Sequence, residues 1–90
     1  MKCAYLKVKG RVQGVGFRWY AMQNANEFGL TGYVKNLSDG SVEIRVEGEK
    51  ELIERFKSIM EKGPGFSSVD EVEFNYEPYL AKYDTFSVDY

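Results

Sequence analysis

Residues 11–18, which read R-V-Q-G-V-G-F-R, have the residue types and spacing of an anion-binding loop. They follow a predicted strand and lead into a predicted helix. At such a junction the first N–H groups of the helix have no acceptor within it, and the positive end of the helix dipole adds to them, so backbone alone can hold a phosphate-sized anion. Arg18, in the first helical turn, adds a planar guanidinium that can bind two oxygens at once.

This loop chemistry, taken alone, leaves two interpretations open. Anion binding and a purely structural glycine turn fit equally well, because Gly14 and Gly16 are also what a tight turn requires. The segment is not a Walker A loop, since it lacks Gly-Lys-Ser/Thr, and it is not the dinucleotide-binding GxGxxG.

Asn36, just before a predicted turn, is the second candidate for chemistry. Its side-chain amide can accept and donate hydrogen bonds, which suits the holding of a water molecule. Asparagine beside a turn more often serves the turn itself. The predicted topology would let Asn36 approach the glycine loop, although the order of elements does not fix the distance.

The remaining candidates favour structural roles. The chain has no histidine and one cysteine, so it lacks the usual catalytic base and cannot form an internal disulfide. Cys3 is interpreted as a small apolar filler in a strand. Two pairs of glutamates are interpreted as lying on solvent-exposed faces of their elements: Glu49 with Glu51, and Glu71 with Glu73. Four aromatic residues are assigned mainly to packing or sheet cover, with stacking on a ligand as the alternative: Tyr5, Trp19, Tyr20 and Tyr33.

Length and composition indicate one packed domain of 90 residues, 43% hydrophobic and 29% charged. There is no apolar run of about 18 residues, as a membrane span requires, and no secretory signal pattern, so a cytoplasmic location without membrane contact is expected. The net charge of −2 argues against nucleic-acid binding. Residues 1–45 hold seven basic and three acidic side chains, which favours an anion there unless the two halves interleave and cancel.

Hydrophobic periodicity predicts five strands and two helices, since strands alternate with period two and helices repeat apolar residues three or four apart. In chain order they are a strand at 3–12, a loop at 13–16, a helix at 17–28, strands at 31–36 and 41–47, a helix at 49–62, a strand at 69–76 and a short strand at 86–90.

This order predicts an α+β fold, a ferredoxin-like two-layer α/β sandwich (βαββαβ plus a short fifth strand) with an antiparallel sheet and both helices on one face. The fold by itself assigns no function. An RNA-recognition module shares the topology but is disfavoured, because it needs aromatic residues on its third strand and residues 41–47 contain none.

Three motifs at these spacings resemble those of the acylphosphatase family: G-R-V-Q-G-V-G-F-R at 10–18, G-Y-V-K-N at 32–36 and D-G-S-V-E at 39–43. The resemblance covers nearly the whole chain, with no departure at the signature positions. It implies a single acylphosphatase-like domain over residues 1–90 that hydrolyses the carboxyl-phosphate bond of a small-molecule acyl phosphate, with no metal and no other cofactor.

The same resemblance implies roles for individual residues. Arg18 would bind the substrate phosphate and Asn36 would orient the attacking water. The backbone amides of the loop would complete the phosphate site: Gln13, Gly14, Val15, Gly16, Phe17 and Arg18. No side chain of the motif is an evident base, so we hypothesise that a phosphate oxygen of the substrate accepts the proton of the water.

A free-standing, monomeric enzyme is expected. The alternative is a non-catalytic or auxiliary module that binds acyl or carbamoyl phosphate, like the related part of the larger carbamoyl-transfer proteins that mature hydrogenases. The sequence leaves the acyl group undefined.

Overall fold

Five strands and two helices make up the fold in a computed structural model, which describes residues Met1–Tyr90. They are β1 Lys2–Arg11, α1 Phe17–Glu27, β2 Thr31–Asn36, β3 Val42–Gly48, α2 Lys50–Lys62, β4 Ser68–Glu77 and β5 Phe86–Asp89. Every predicted element is present, with each boundary within one residue of its prediction.

The two helices differ in the charged residues of their terminal turns. In α2, Glu51 lies in the first turn and Lys62 in the last, so both charges complement the helix dipole. The chain then leaves α2 at Gly63, whose N–H donates to the carbonyl of Ile59 at 3.1 Å. The first turn of α1 contains no acidic residue. Neither helix is long and apolar enough to cross a membrane.

The strands form one sheet in the order β4-β1-β3-β2-β5. β1 pairs antiparallel with β3 and β4, and β2 pairs antiparallel with β3, as predicted. β5 departs from the prediction of an antiparallel sheet, because it pairs parallel with β2, with Phe86 opposite Gly32. The reason is that residues 78–85 cross the end of the sheet, so the chain turns back at the opposite edge and there runs in the direction of β2.

Both helices cover the same face of the sheet, as predicted. Alternate residues of the central strands are buried against them in one apolar cluster. Its largest fully buried side chains include Leu6 of β1, Ile44 of β3, Phe17 of α1 and Phe56 of α2. Burial of this apolar surface holds α1 against β2 and β5, so its first turn lies at the carboxyl end of β2.

The other face of the sheet is covered by side chains that bind one another. Glu43 accepts hydrogen bonds from the hydroxyls of Tyr5, at 3.0 Å, and Tyr33, at 2.9 Å. Arg45 donates to the Tyr33 hydroxyl at 2.7 Å and to the two carboxylate oxygens of Glu77 at 2.8 and 3.2 Å. Burial, together with the bond to Glu43, raises the pKa of Tyr5 to about 12. Tyr5 and Tyr33 are therefore sheet cover, as predicted.

Two other residues considered for chemistry also have structural roles. Cys3 is buried, as expected of a filler. Its burial, and the nearby carboxylates of Glu47 and Glu77, raise the pKa of the thiol and so disfavour the thiolate that a nucleophile needs. Tyr20 joins the helices, since its hydroxyl donates to the Ile59 carbonyl at 2.8 Å.

Glu47 anchors the segment that leads to β5. The residue is only 4% exposed. It accepts hydrogen bonds from three backbone N–H groups, those of Lys82 at 2.9 Å and of Leu80 and Tyr83 at 3.4 Å. A buried carboxylate needs such donors, and the irregular residues 78–85 need a fixed route. The contact therefore sets the position at which β5 joins the sheet.

We expect Glu47→Ala to lower the free energy of unfolding by about 2 kcal/mol, because three N–H groups lose a charged acceptor. Urea denaturation followed by circular dichroism measures the change. Glu71→Ala is the matched control, since Glu71 is an exposed glutamate of β4, and it should stay within about 0.5 kcal/mol of wild type. Equally small effects of both substitutions would contradict the anchoring role.

Candidate active site

The loop between β1 and α1 contains two residues in the left-handed backbone region. Gly14 has a φ of 75° and Gly16 a φ of 79°. A Cβ atom at either position would meet no atom within 4 Å, so glycine is needed here for backbone conformation and not for space. Gly16 is the N-cap of α1, and no side chain caps the helix.

The backbone amides of this loop have no acceptor within the protein. No N–H group of residues 14–19 donates a hydrogen bond to the backbone or to a side chain. These groups lie at the positive end of the α1 dipole, and no acid in the first turn neutralises it. The arrangement favours an anion over a cation or a neutral ligand.

A cleft of about 390 Å³ opens beside the loop. Four of its lining residues provide backbone amides, a guanidinium and a carboxamide: Gly14, Gly16, Arg18 and Asn36. The other six are apolar or aromatic: Val12, Phe17, Trp19, Met22, Val88 and Tyr90. No carboxylate side chain lines the cleft, so no side chain in its lining carries a negative charge that would repel an anion.

Asn36 lines this cleft, and its side chain carries a buried acceptor. Its Oδ1 is buried and has no hydrogen-bond partner, and it is the one side-chain atom of the protein in this state. An unpaired buried acceptor costs about 1–3 kcal/mol, so Oδ1 is suited to a donor from outside the chain. Although Asn36 lies beside a turn, its side chain makes no hydrogen bond to that turn. The side chain of Asn36 therefore does not stabilise the turn by a hydrogen bond, which was the more usual role considered for it.

Arg18 is the only cation that lines the cleft, and it forms no ion pair with a carboxylate of the chain. Its guanidinium carbon lies 4.6 Å from the centroid of the Tyr90 ring. This cation–π contact orients the guanidinium without occupying its N–H donors. The donors are therefore available to an oxygen-rich ligand.

Gln13 links the loop to the turn that follows Asn36. Its Nε2 donates to the carbonyl of Leu37 and to the carbonyl of Ser41, each at 2.8 Å. Leu37 is the residue next to Asn36 in the chain, so both hydrogen bonds fix the end of β2 relative to the loop between β1 and α1. The side chain of Gln13 is thus a positioning group, which the sequence reasoning missed because it considered only the backbone amide.

The turn itself is made rigid by Asp39. Its carboxylate accepts from the backbone N–H of Ser41 at 3.0 Å and from the Ser41 hydroxyl at 2.5 Å, and it forms an ion pair with Lys7 at 3.0 Å. The hydrogen bonds from Ser41, followed by Lys7, hold the pKa of the Asp39 carboxyl well below its usual range. The turn therefore offers Gln13 two carbonyls in fixed positions.

The structure brings most of the predicted site residues together. Gly14, Gly16, Phe17 and Arg18 line the cleft with Asn36. The side chains of Gln13 and Val15 do not line it: that of Gln13 binds the turn, and that of Val15 packs against the core. No group of three His, Cys, Asp or Glu side chains is placed to hold a metal ion.

Most of the apolar wall of the cleft was not predicted, although Phe17 was among the predicted site residues and stacking on a ligand was the alternative given for Trp19. Trp19, assigned mainly to packing or sheet cover, is 60% exposed and lines the cleft. Trp19 and Met22 are three residues apart on α1, a spacing that places them on one side of a helix and was available as a signal. Val88 and Tyr90 could not have been found in this way, because their place depends on β5 joining the sheet beside β2.

Comparison with known sequences gives one consistent result. The family model described as Acylphosphatase matches residues 4–88. An acylphosphatase from Bacillus licheniformis is 42% identical over 83 residues, which cover 92% of this chain and 92% of that protein.

Solved structures give the same result. The crystal structure of an acylphosphatase from Bacillus subtilis superimposes with a TM-score of 0.96 and 37% identity, covering 100% of both chains. The crystal structure of HypF from T. kodakarensis has a TM-score of 0.86 and 38% identity, covering 100% of this chain but only 12% of HypF. The fold therefore also occurs as a small part of a larger chain.

We expect Gln13→Ala to lower the free energy of unfolding by about 1–3 kcal/mol, because two carbonyls lose their side-chain donor. Gln13→Glu should behave alike, since a carboxylate can accept these bonds but cannot donate them. Chemical denaturation measures both. Gln23→Ala is the control on the exposed side of α1 and should change stability by less than about 0.5 kcal/mol. A Gln13→Ala protein as stable as Gln23→Ala would argue against the link.

Proposed function

The chain belongs to the acylphosphatase family, and we propose that it hydrolyses the carboxyl-phosphate bond of acyl phosphates to a carboxylate and inorganic phosphate. The observation that carries the proposal is that the buried, unpaired Oδ1 of Asn36 shares one cleft with Arg18 and the two loop glycines. Asn36, whose side chain can accept from a water molecule, and a set of donors for a phosphate therefore line the same space. Hydrolysis at phosphorus requires this arrangement, because it brings nucleophile and electrophile into one site.

The phosphate of the substrate binds to the loop in this proposal. The unpaired N–H groups of residues 14–18 and the guanidinium of Arg18 donate to its oxygens, and the helix dipole adds to the attraction. Negative charge spreads over the three equatorial oxygens of the phosphoryl group in the transition state. Donors already held in place stabilise this charge without rearrangement. The proposed step needs neither a metal nor another cofactor, because these groups supply the positive charge.

Asn36 positions the attacking water. One O–H of the water donates to Oδ1, which leaves a lone pair of the water oxygen free to attack phosphorus. A bond forms from this oxygen to phosphorus while the bond from phosphorus to the acyl oxygen breaks. The electron pair of the broken bond leaves with the carboxylate, which is stable as an anion and needs no general acid.

The proton of the water goes to a phosphate oxygen of the substrate in our proposal. The chain contains no histidine, and no carboxylate side chain lines the cleft, so no side chain there is suited to act as a base. A phosphate oxygen is adjacent to the attacking water and becomes part of the product. The products are then one carboxylate and one inorganic phosphate, with all atoms accounted for.

The partner of the site is a small-molecule acyl phosphate. A cleft of about 390 Å³ lies within the range of about 300–1,000 Å³ that holds a small ligand. We propose that one chain supplies the whole site, because every group named above comes from the same domain. A non-catalytic module that binds acyl or carbamoyl phosphate is the alternative, and it is distinguished by binding without turnover.

We expect Arg18→Ala to lower kcat/KM for benzoyl phosphate, assayed without added metal, by at least about 10³, because both binding and charge stabilisation are lost. Asn36→Ala should lower kcat by about 10² with a smaller change in KM, because water positioning acts mainly on the chemical step. Steady-state hydrolysis measures both, with circular dichroism to confirm folding.

Matched controls are available for both substitutions. Arg55 and Asn26 are exposed on the helices and do not line the cleft, so Arg55→Ala and Asn26→Ala should retain wild-type rates. A folded Arg18→Ala protein with full activity would remove the mechanism, whereas full activity in Asn36→Ala would remove only the water-positioning role. Phosphate binding with no turnover in wild type would support the non-catalytic module.

We expect kcat to be nearly constant between about pH 5 and 8, because histidine is the side chain that ordinarily titrates there and the chain has none. Initial rates at saturating benzoyl phosphate, corrected for spontaneous hydrolysis at each pH, give the profile. A bell-shaped profile with a limb inside this window would instead require a protein group as base, against the proposed proton transfer.

A further inference from the structure

The cleft contains more apolar surface than the binding of a phosphate explains. Six of its ten lining residues are apolar or aromatic, whereas the hydrogen-bond donors suited to a phosphate come from the loop and Arg18. Val12 and Phe17 are almost fully buried and belong to the core. The other apolar lining residues lie further from the loop in sequence, on α1, on β5 and directly after β5, and need a separate explanation.

Trp19 and Met22 extend the cleft along α1. Met22 lies six residues after the N-cap Gly16, which at the rise of an α-helix places it about 9 Å further along the axis. Trp19 lies between Gly16 and Met22 in the chain. It is 60% exposed and presents a large rigid apolar surface to the cleft. A ligand whose phosphate is held at the start of α1 would therefore place its remaining part against these two side chains.

β5 provides the facing wall. Val88 lies opposite Val34 in the parallel pairing with β2, and it lines the cleft together with Tyr90. Arg18 is the only cation in the lining, and the phosphate would occupy it. A second negative charge on the ligand would have no partner here, so the lining suits an uncharged group.

Exposure of a large apolar side chain is not by itself unusual in this protein. Phe66 is 86% exposed and Leu80 is 72% exposed, but neither lines a cavity. Trp19 differs because it shares one cleft with Met22 and Val88, and because that cleft continues into the phosphate site. Phe66 and Leu80 therefore provide the comparison for an exposed residue without a binding role.

We propose that Trp19, Met22 and Val88 form an acyl subsite that selects acyl phosphates with an uncharged aromatic or large apolar acyl group over those with a small one. This inference rests on the proposed function, because the bound phosphate sets where the acyl group lies. Trp19 is a specificity-determining residue in this arrangement, since its ring contacts the acyl group and not the reacting atoms.

The test compares kcat/KM for benzoyl phosphate with kcat/KM for acetyl phosphate in each variant. We expect Trp19→Ala to lower the ratio of the two values by about tenfold. Trp19→Phe should recover most of the ratio, because it keeps an aromatic face. Phe66→Ala, the exposed aromatic control, should leave the ratio at the wild-type value.

A binding measurement keeps the subsite testable apart from catalysis. Phenylphosphonate and methylphosphonate carry the same anionic group and are not hydrolysed, so calorimetric titration compares the two side groups alone. We expect wild type to bind phenylphosphonate more tightly, and Trp19→Ala to lose most of that difference.

The outcomes separate this inference from the function on which it rests. If wild type turns over acyl phosphates but Trp19→Ala keeps the wild-type ratio and the wild-type binding difference, the subsite is wrong and the hydrolase stands. If wild type hydrolyses neither substrate, the proposed function fails, and the phosphonate titration still decides whether Trp19 selects the side group. A Trp19→Ala protein that loses both substrates equally also overturns the subsite.

Discussion

The backbone N–H groups of residues 14–19 donate no hydrogen bond within the protein, and the cleft is arranged around these unpaired donors. The left-handed conformations of Gly14 and Gly16 turn the chain into α1 without a capping side chain. Burial of Phe17 in the core then holds the start of the helix in place. Stability is thus supplied by apolar packing below the loop, which leaves the polar groups above it available to a ligand.

Two arginines illustrate how the protein separates structure from chemistry. Arg45, on the open face of the sheet, is held by Glu77 and Tyr33, and these contacts raise its pKa. Arg18, on the cleft, forms no ion pair with a carboxylate, and its guanidinium lies over the ring of Tyr90. A guanidinium paired within the chain has few donors left for a ligand, whereas the donors of Arg18 remain available to one.

Local sequence patterns were enough to predict the elements of the fold, whereas the joint site of Asn36, Arg18 and the loop was predicted from the resemblance of the motifs to a known family. Period-two and helical spacings placed each boundary within one residue, because these patterns reflect which face of an element is buried. The unpaired amides of the loop were also predictable, because the first N–H groups of a helix without a capping side chain have no acceptor within it. The contacts of Gln13 and Glu47 were not, because their partners lie 24 to 36 residues away and no local pattern encodes them. The second of these contacts holds the segment that leads to β5.

Glu47 holds the residues before β5 entirely by their main chain. A carboxylate that binds N–H groups is indifferent to the side chains those residues carry, with proline the exception because it has no N–H. Leu80 and Lys82, whose side chains are exposed, are therefore free to drift during evolution while Val88 keeps its place beside the cleft, whereas Tyr83 also packs against the ring of Tyr33. Sequence change at these two positions and change in the wall of the cleft are thereby uncoupled, so descendants of this chain could diversify one without disturbing the other.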